Sequence, residues 1–272
     1  MILPKKIAKH ITKKLHICKM KNWIPNIITL LNLLCGCIAA IYAFNDQLVL
    51  AGVFVAAGIF FDFFDGLAAR FLHVSSELGT QLDSLADMVT SGLVPGIVMY
   101  QLLSDAIGFN LIDQEQSFTS GSQDYWISHP YLPILGFLIT LGSCYRLAKF
   151  NIDNRQTDSF IGVPTPANAI LIISLGLIAQ DTDLSWLYYG LTNPYILIAI
   201  TLFSVYILNA ELPLFALKFK SFGWKGNEMR WVFIAICIAL MITLQIYAVP
   251  CIIIIYILMS VVNNLRAERN SV

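Results

Sequence analysis

Residues 62–87 read DFFDGLAARFLHVSSELGTQLDSLAD, a stretch that sets four aspartates into a region otherwise apolar enough to cross a membrane. The four are Asp62, Asp65, Asp83 and Asp87. A carboxylate at bilayer depth is costly unless it is paired, hydrated or bound to a cation. Four of them so close together are hard to tolerate without a metal, and the stretch therefore indicates a functional site within a membrane protein.

The composition of the whole chain agrees with a membrane location. Hydrophobic residues make up 57% of the 272 residues, charged residues only 12%, and the mean hydropathy is +0.72. A soluble globular domain is about 45–50% apolar and about 25% charged. Because about 20 apolar residues cross a bilayer as a helix, the sequence predicts an all-α, polytopic integral membrane bundle of about eight transmembrane helices.

The apolar runs predict the bounds of these helices and the domain organisation. The expected spans are 24–44, 48–71, 79–103, 131–149, 164–180, 194–210, 231–248 and 250–265. A basic amphipathic helix at 1–23 is expected before a transmembrane catalytic domain at 24–265 and a cytoplasmic tail at 266–272. The seven lysines of 1–23 either hold that helix on an anionic leaflet or only set the topology, and the sequence leaves both possibilities open.

The positive charges predict the orientation in the membrane. With a cytoplasmic N-terminus, the external loops are 45–47, 104–130, 181–193 and a turn near 249, and these contain no lysine or arginine. Basic residues concentrate in cytoplasmic loops. Both termini are therefore expected in the cytoplasm.

The spacing of the aspartates predicts that they meet. Residues three or four apart share one helix face, so Asp62 and Asp65 lie together on one helix, and Asp83 and Asp87 on the next. A short cytoplasmic turn joins these helices, which are therefore expected to pack antiparallel. Ligands that are all oxygen suit Mg²⁺ or Mn²⁺. Two such ions a few ångströms apart stabilise the attacking and leaving oxygens of a phosphoryl transfer.

The motif at 62–87 resembles the signature of the CDP-alcohol phosphatidyltransferase family, DG-x-x-AR-x8-G-x3-D-x3-D with a further aspartate three residues upstream, and every position matches. Two later stretches, YRLAKFN at 145–151 and FIGVPTPANA at 160–169, are similar to the subgroup of this family that makes phosphatidylserine. The resemblance covers about 22–265, and eight spans fit that subgroup.

The resemblance implies a role for each matching residue. The four aspartates would hold two Mg²⁺ or Mn²⁺ ions, and Asp87 would also be the general base that takes the proton of the acceptor hydroxyl. Contacts to the donor, CDP-diacylglycerol, would come from Gly66, Arg70, Ser76, Gly79, Asn26 and Thr29.

The acceptor implied by the subgroup is L-serine, whose carboxylate and ammonium need a cation and polar oxygens in the pocket. Three basic residues lie at or just after the cytoplasmic end of the fourth expected span: Arg146, Lys149 and Arg155. Arg146 is the best candidate to bind the carboxylate. It is equally well explained as a charge that only marks the cytoplasmic side.

The expected function is transfer of the phosphatidyl group to serine with release of CMP, by a homodimer in a bacterial or archaeal inner membrane whose active site faces the cytoplasm. No nucleic-acid partner is expected. One alternative is the same chemistry on glycerol 3-phosphate or an inositol compound. Another is a cation transporter that uses the aspartates as an ion path, although a transporter is expected to have paired discontinuous helices in two halves.

Overall fold

The computed structural model describes residues 5–74, 76–108, 130–153, 160–214, 223 and 227–271, and side chains within those ranges from 23 to 264, except 160. Of the predicted amphipathic segment 1–23, the described backbone of 5–22 is helical and continuous with the first membrane helix. The side chains of the predicted tail 266–272 and most of the predicted external loop 104–130 lie outside the described residues.

The described fold is helical, apart from one pair of two-residue strands. The N-terminal half contains α1 (Lys5–Phe44), α2 (Leu48–Leu72), α3 (Glu77–Asp87), a π-helical turn (Met88–Leu93), α4 (Val94–Ile107), a 3₁₀ turn (Leu132–Phe137) and α5 (Leu138–Ile152). The C-terminal half contains β1 (Phe160–Ile161), α6 (Thr165–Asp181), α7 (Ser185–Leu191), α8 (Pro194–Asn209), β2 (Pro213–Leu214), α9 (Glu228–Leu244), a 3₁₀ turn (Gln245–Tyr247) and α10 (Ala248–Ser271).

The chain is a multi-pass membrane protein. Within the described residues, four helical runs are long and apolar enough to cross a membrane: Trp23–Phe44, Leu48–Leu72, Glu77–Ile107 and Glu228–Asn264. A fifth is added if α7 and α8, bent by 69°, form one span. The expected all-α membrane bundle is confirmed at this level, whereas the count of eight spans stays a prediction.

The last of the four runs folds back on itself. Gln245, at its middle, has a φ of 50° and interrupts the helix. Phe233 and Tyr256 place their ring centroids 5.6 Å apart, whereas a straight helix would separate residues so distant in sequence by about 35 Å. Helices α9 and α10 therefore pack as a hairpin, with the turn a few residues before the expected position 249.

Two local features differ from the expected spans. The third expected span, 79–103, is interrupted by the π-helical turn that begins directly after Asp87. The expected external loop 181–193 contains the short helix α7. A π turn keeps the apolar run continuous, and a helix of seven residues is too short for hydrophobic periodicity to identify.

The core of the bundle lies around α4. The side chains of Val94, Ile97, Val98, Met99 and Leu103 on this helix are fully buried. Large apolar side chains cover the outside of the bundle, as a bilayer requires. Examples with exposed fractions of 76% or more are Phe71, Ile152 and Ile242.

The two strands join the segments that follow α5 and α8. Phe160 pairs with Leu214 and Ile161 with Pro213, in antiparallel register. Gly162 follows at a φ of 74°, and a Cβ there would lie 2.5 Å from the backbone oxygen of Leu208. Only glycine combines that backbone conformation with so close a contact, so the turn after β1 depends on it.

Candidate active site

The aspartates of 62–87 meet between α2 and α3. Both helices pack mainly against α1 and make few direct contacts with each other, so the expected close antiparallel packing of α2 on α3 is not found in this described part of the chain. Asp62, Asp65 and Asp83 each present an oxygen, and these three oxygens lie within 4.8 Å of one another. Carboxylates this close repel each other unless a cation or protons lie among them. An all-oxygen set with this spacing fits a hard divalent cation such as Mg²⁺ or Mn²⁺, so the residues present suit the metal that the sequence predicts.

Asp87 lies beside this group of three. Its carboxylate interacts electrostatically with Asp62, Asp65 and Asp83. It also interacts electrostatically with the guanidinium of Arg146. The structure therefore brings all four aspartates into one site, with three of them closely clustered and Asp87 within electrostatic reach of those three and of Arg146.

A cavity of about 190 Å³ opens beside the carboxylates. Its lining includes Asp65 and Asp83 together with five of the six residues predicted to contact the donor nucleotide, namely Asn26, Thr29, Gly66, Ser76 and Gly79. The remaining lining residues are Pro25, Ala69, Val74 and Thr80. Residues from α1, α2 and the start of α3, which are up to 58 positions apart in sequence, thus converge on one pocket.

The first turn of α3 forms one wall of this cavity. Ser76 caps the helix, since its Oγ accepts a hydrogen bond from the backbone N–H of Gly79 at 3.0 Å. A Cβ on Gly79 would lie 3.1 Å from that Oγ and 3.3 Å from Oδ1 of Asn26, tighter than ordinary contact. The positive end of a helix dipole attracts phosphate, so this wall suits the pyrophosphate of a nucleotide.

Gly66 lines the cavity on α2 and adds no side chain to it. A Cβ built there would meet, among the described residues, only the side chain of Arg70, at an ordinary 3.7 Å. Protein packing therefore does not require glycine at this position. The space that a larger side chain would fill belongs to the cavity, so Gly66 is better explained by a ligand that approaches α2.

Arg70 lies outside the cavity lining. Its side chain is exposed and its Nε donates to the backbone oxygen of Gly66 at 3.2 Å, one turn earlier on α2. The guanidinium is thus held at the edge of the cavity and does not contact the aspartates.

Asn32 is a residue of this site that the sequence reasoning missed. It is fully buried in α1, and its Nδ2 donates to Oδ1 of Asp87 at 3.2 Å. Its Oδ1 accepts from the hydroxyl of Thr90 at 2.8 Å. A signal was available, because Asn26, Thr29 and Asn32 follow one another at intervals of three within an apolar run and so share a helix face.

Of the residues predicted to bind serine, Arg146 lies near an aspartate of the site, Asp87. It is 7% exposed, its guanidinium stacks over Phe150 at 5.9 Å, and its Nε has no hydrogen-bond partner among the described residues. Lys149 instead pairs with Glu211 at 3.3 Å. Arg155 lies outside the described residues.

Comparisons with known proteins match most of this chain to one family. Residues 22–207 match the family model of the CDP-alcohol phosphatidyltransferases. A CDP-diacylglycerol–serine O-phosphatidyltransferase of Bacillus subtilis is 33% identical over 158 residues, covering 57% of this chain and 75% of that protein. A protein of the same name from Helicobacter pylori is 30% identical over 151 residues, 55% of each chain.

An archaeal relative extends the comparison. The archaetidylserine synthase of Methanothermobacter thermautotrophicus is 26% identical over 167 residues, covering 60% of this chain and 61% of that protein. The matched region thus spans between about half and three quarters of these relatives. Since the family model covers more than half of this chain and includes the whole aspartate motif, the protein belongs to the CDP-alcohol phosphatidyltransferase family.

Proposed function

We propose that the protein transfers the phosphatidyl group of CDP-diacylglycerol to the hydroxyl of L-serine, giving phosphatidylserine and CMP. The observation that carries the proposal is the cavity in which Asp65 and Asp83 meet the first turn of α3. Membrane helices surround it, so a lipid-linked nucleotide can reach it from the bilayer. The serine acceptor is supported by relatives from two bacteria named for that reaction and by an archaetidylserine synthase.

The nucleotide part of the donor would bind in the cavity. The backbone N–H groups at the start of α3, with the hydroxyl of Ser76, would receive the pyrophosphate. Gly66 and Gly79 would let it approach the helices, and Asn26 and Thr29 would contact it from α1. Arg70, now bonded to a carbonyl of its own helix, can turn toward a phosphate, because an arginine–phosphate pair is stronger than that bond.

Asp62, Asp65 and Asp83 would hold divalent metal, with Asp87 completing a second site. When bound, two such ions neutralise the charge that develops on the phosphate oxygens and on departing CMP. A set of oxygen ligands suits both Mg²⁺ and Mn²⁺.

Asp87 would act as the general base. It would take the proton of the serine hydroxyl while that oxygen attacks the phosphorus that carries diacylglycerol. The bond between this phosphorus and the bridging oxygen breaks, and CMP leaves with the electron pair. Catalysis then depends on holding both substrates in line, and no covalent enzyme intermediate is required.

Arg146 would bind the carboxylate of serine. It is buried, it lies near Asp87, and a guanidinium matches a carboxylate in geometry. Lys149 is a weaker candidate because it already pairs with Glu211. Arg155 stays a sequence-based candidate.

We also propose eight spans with both termini and the active site on the cytoplasmic side of an inner membrane, in a homodimer. The hairpin of α9 and α10 supports counting the last helical run as two spans. The absence of lysine and arginine from the expected external loops supports the orientation.

The direct test measures CMP release from CDP-diacylglycerol by purified protein in detergent. Mn²⁺ or Mg²⁺ is compared with EDTA, and serine with glycerol 3-phosphate and an inositol phosphate. Asp87→Asn is the test variant. Asp46→Asn, in the turn at the other end of α2, is the matched control. Metal-dependent release only with serine, lost in Asp87→Asn alone, would support the proposal.

The other outcomes are equally informative. Release that needs a different alcohol would keep the phosphatidyl transfer and overturn the choice of serine. No release by folded protein with any acceptor would reject the enzyme and favour transport of the cation through the aspartates.

A further inference from the structure

The contact between Asn32 and Asp87 joins α1 to the end of α3. Asn32 is fully buried within the first membrane span. A primary amide in a membrane interior needs hydrogen-bond partners to be tolerated. Its Nδ2 donates a hydrogen bond to Oδ1 of Asp87 at 3.2 Å. The amide is therefore bonded directly to the aspartate that we assign as the general base.

The carboxylate of Asp87 determines which way that amide points, and Thr90 holds its other end. The Thr90 hydroxyl lies 2.8 Å from Oδ1 of Asn32 and 3.1 Å from the backbone oxygen of the same residue. The backbone oxygen can only accept a hydrogen bond, and a carboxylate can only accept as well. The arrangement that satisfies these groups has Oδ1 toward Thr90 and Nδ2 toward Asp87, because a reversed amide would set its oxygen against the carboxylate.

The π-helical turn brings Thr90 to this position. The turn starts at Met88, directly after Asp87, so both groups that contact Asn32 come from one short segment. A Cβ on Gly36 would lie 2.4 Å from the Thr90 hydroxyl, and one on Gly58 would lie 2.8 Å from Oδ1 of Asn32. Glycines on α1 and α2 thus make room for the three-residue contact, and π turns are frequent at functional sites.

We propose that Asn32 is a positioning residue that holds Oδ1 of Asp87 and so aims the other carboxylate oxygen at the acceptor hydroxyl, with Thr90 fixing the amide. This inference rests on the proposed phosphatidyl transfer. Asn32 then acts on the chemical step through Asp87 and does not contact the substrate. A purely structural bond between helices would instead affect stability and donor binding together.

The test separates these readings by a set of single substitutions in the full-length protein. Asn32→Ala removes the bond to Asp87. Thr90→Val removes the hydroxyl at nearly constant volume, and Thr90→Ser restores it. Thr201→Val is the matched control, since Thr201 is also a buried threonine whose hydroxyl bonds a backbone oxygen, of Leu197 on α8. Each protein is assayed for kcat and KM, for Mn²⁺-dependent CDP binding by calorimetry, and for melting temperature.

Asn32→Ala is expected to lower kcat by about 10- to 100-fold, the range found when a hydrogen-bond partner of a metal ligand is lost. CDP affinity and donor KM should change by no more than about twofold, because other aspartates of the site, and not Asp87, line the donor cavity. Thr90→Val should lower kcat in the same selective way, Thr90→Ser should recover most of it, and Thr201→Val should behave as wild type. If Asn32→Ala does not fold, the Thr90 pair gives the same comparison.

An unchanged kcat in Asn32→Ala would overturn the proposal, as would a loss that CDP affinity and melting temperature follow in proportion, or equal effects of Thr90→Val and Thr201→Val. Failure of the underlying function has a different signature. In that case wild type releases no CMP with serine, or Asp87→Asn remains fully active, whatever Asn32→Ala does.

Discussion

The hydroxyl of Thr29 donates a hydrogen bond to Oδ2 of Asp65, across 36 positions of sequence. Thr29 is 3% exposed and Asp65 is 7% exposed, so this bond is shielded from water and holds one carboxylate of the cluster from α1. With Asn32 bonded to Asp87 three residues further along, one face of the first span supports an aspartate from each of the next two helices.

Thr29→Val should therefore weaken metal binding without removing a metal ligand. The valine keeps the volume but leaves Oδ2 of Asp65 without its donor, and loss of such a supporting bond costs about 10- to 100-fold in metal affinity or activity. Mn²⁺ titration followed by electron paramagnetic resonance measures the affinity directly. Thr29→Ser is the matched control and should bind Mn²⁺ as wild type does. Equal Mn²⁺ affinity in the valine and serine variants would contradict the role given to this hydroxyl.

Substitution of any one aspartate of the close group, Asp62→Asn, Asp65→Asn or Asp83→Asn, should reduce metal-dependent CMP release by about 100-fold or more. Each change removes a charged oxygen ligand from a cluster of three carboxylates. Raising the Mn²⁺ concentration should recover part of the activity, because the defect lies in metal affinity. The control is Asp46→Asn, whose carboxylate accepts from Gln180 at the far end of α2. Full activity at ordinary Mn²⁺ in all three variants would exclude a metal site here.

The parts of this site that sequence alone predicts are those set by helix periodicity. The intervals between the aspartates place each pair on one helix face. A short connection keeps these two faces near each other, although both helices pack on α1. The resemblance to the family, and not periodicity, singled out Ser76 and Gly79 near the start of α3. Apart from Asp87, these residues lie beside one cavity or within one cluster in the structure.

The parts that sequence could not predict depend on contacts between distant elements. The π-helical turn after Asp87 brings Thr90 to Asn32, 58 positions away, and no local pattern specifies that. Lys149 forms an ion pair with Glu211, 62 positions later. The sequence around Lys149 does not reveal this partner. Hydrophobic runs likewise gave the bounds of α6 and α8 closely but missed α7.

Two glycines should respond to alanine in opposite ways. Gly66→Ala meets only an ordinary 3.7 Å contact among the described residues, so the melting temperature should be unchanged. The added methyl enters the cavity, and the donor KM should rise by about tenfold, equivalent to about 1.4 kcal/mol. Gly36→Ala would place its methyl 2.4 Å from the Thr90 hydroxyl and 2.9 Å from the Thr90 backbone nitrogen.

Such overpacking costs about 1–3 kcal/mol, so Gly36→Ala should lower the melting temperature in detergent. Thermal unfolding and donor titration on the same two preparations check both statements. An unchanged melting temperature in Gly36→Ala would contradict the close packing of Gly36 against Thr90. A normal donor KM in Gly66→Ala would contradict binding of the donor in the cavity.

The two described basic residues of α5 should differ in their effect on the acceptor. Arg146→Lys keeps a positive charge near Asp87 but loses the planar fork that matches a carboxylate. The KM for serine should rise by about 10- to 100-fold, the cost of about 1.4 to 2.7 kcal/mol, while donor KM stays near wild type. Lys149→Ala breaks only a partly exposed pair with Glu211, worth about 0–1 kcal/mol, and should leave the KM for serine within about twofold.

Steady-state kinetics with serine as the varied substrate separates the two residues, and ethanolamine, which lacks the carboxylate, sharpens the comparison. If Arg146 binds that carboxylate, wild type should use ethanolamine poorly and Arg146→Lys should use it no worse than wild type does, because the interaction lost in the variant is absent from this acceptor. An equal loss with both acceptors would instead assign Arg146 to the support of Asp87. That result would fit its electrostatic contact with the base and would leave the serine carboxylate to be bound by another residue.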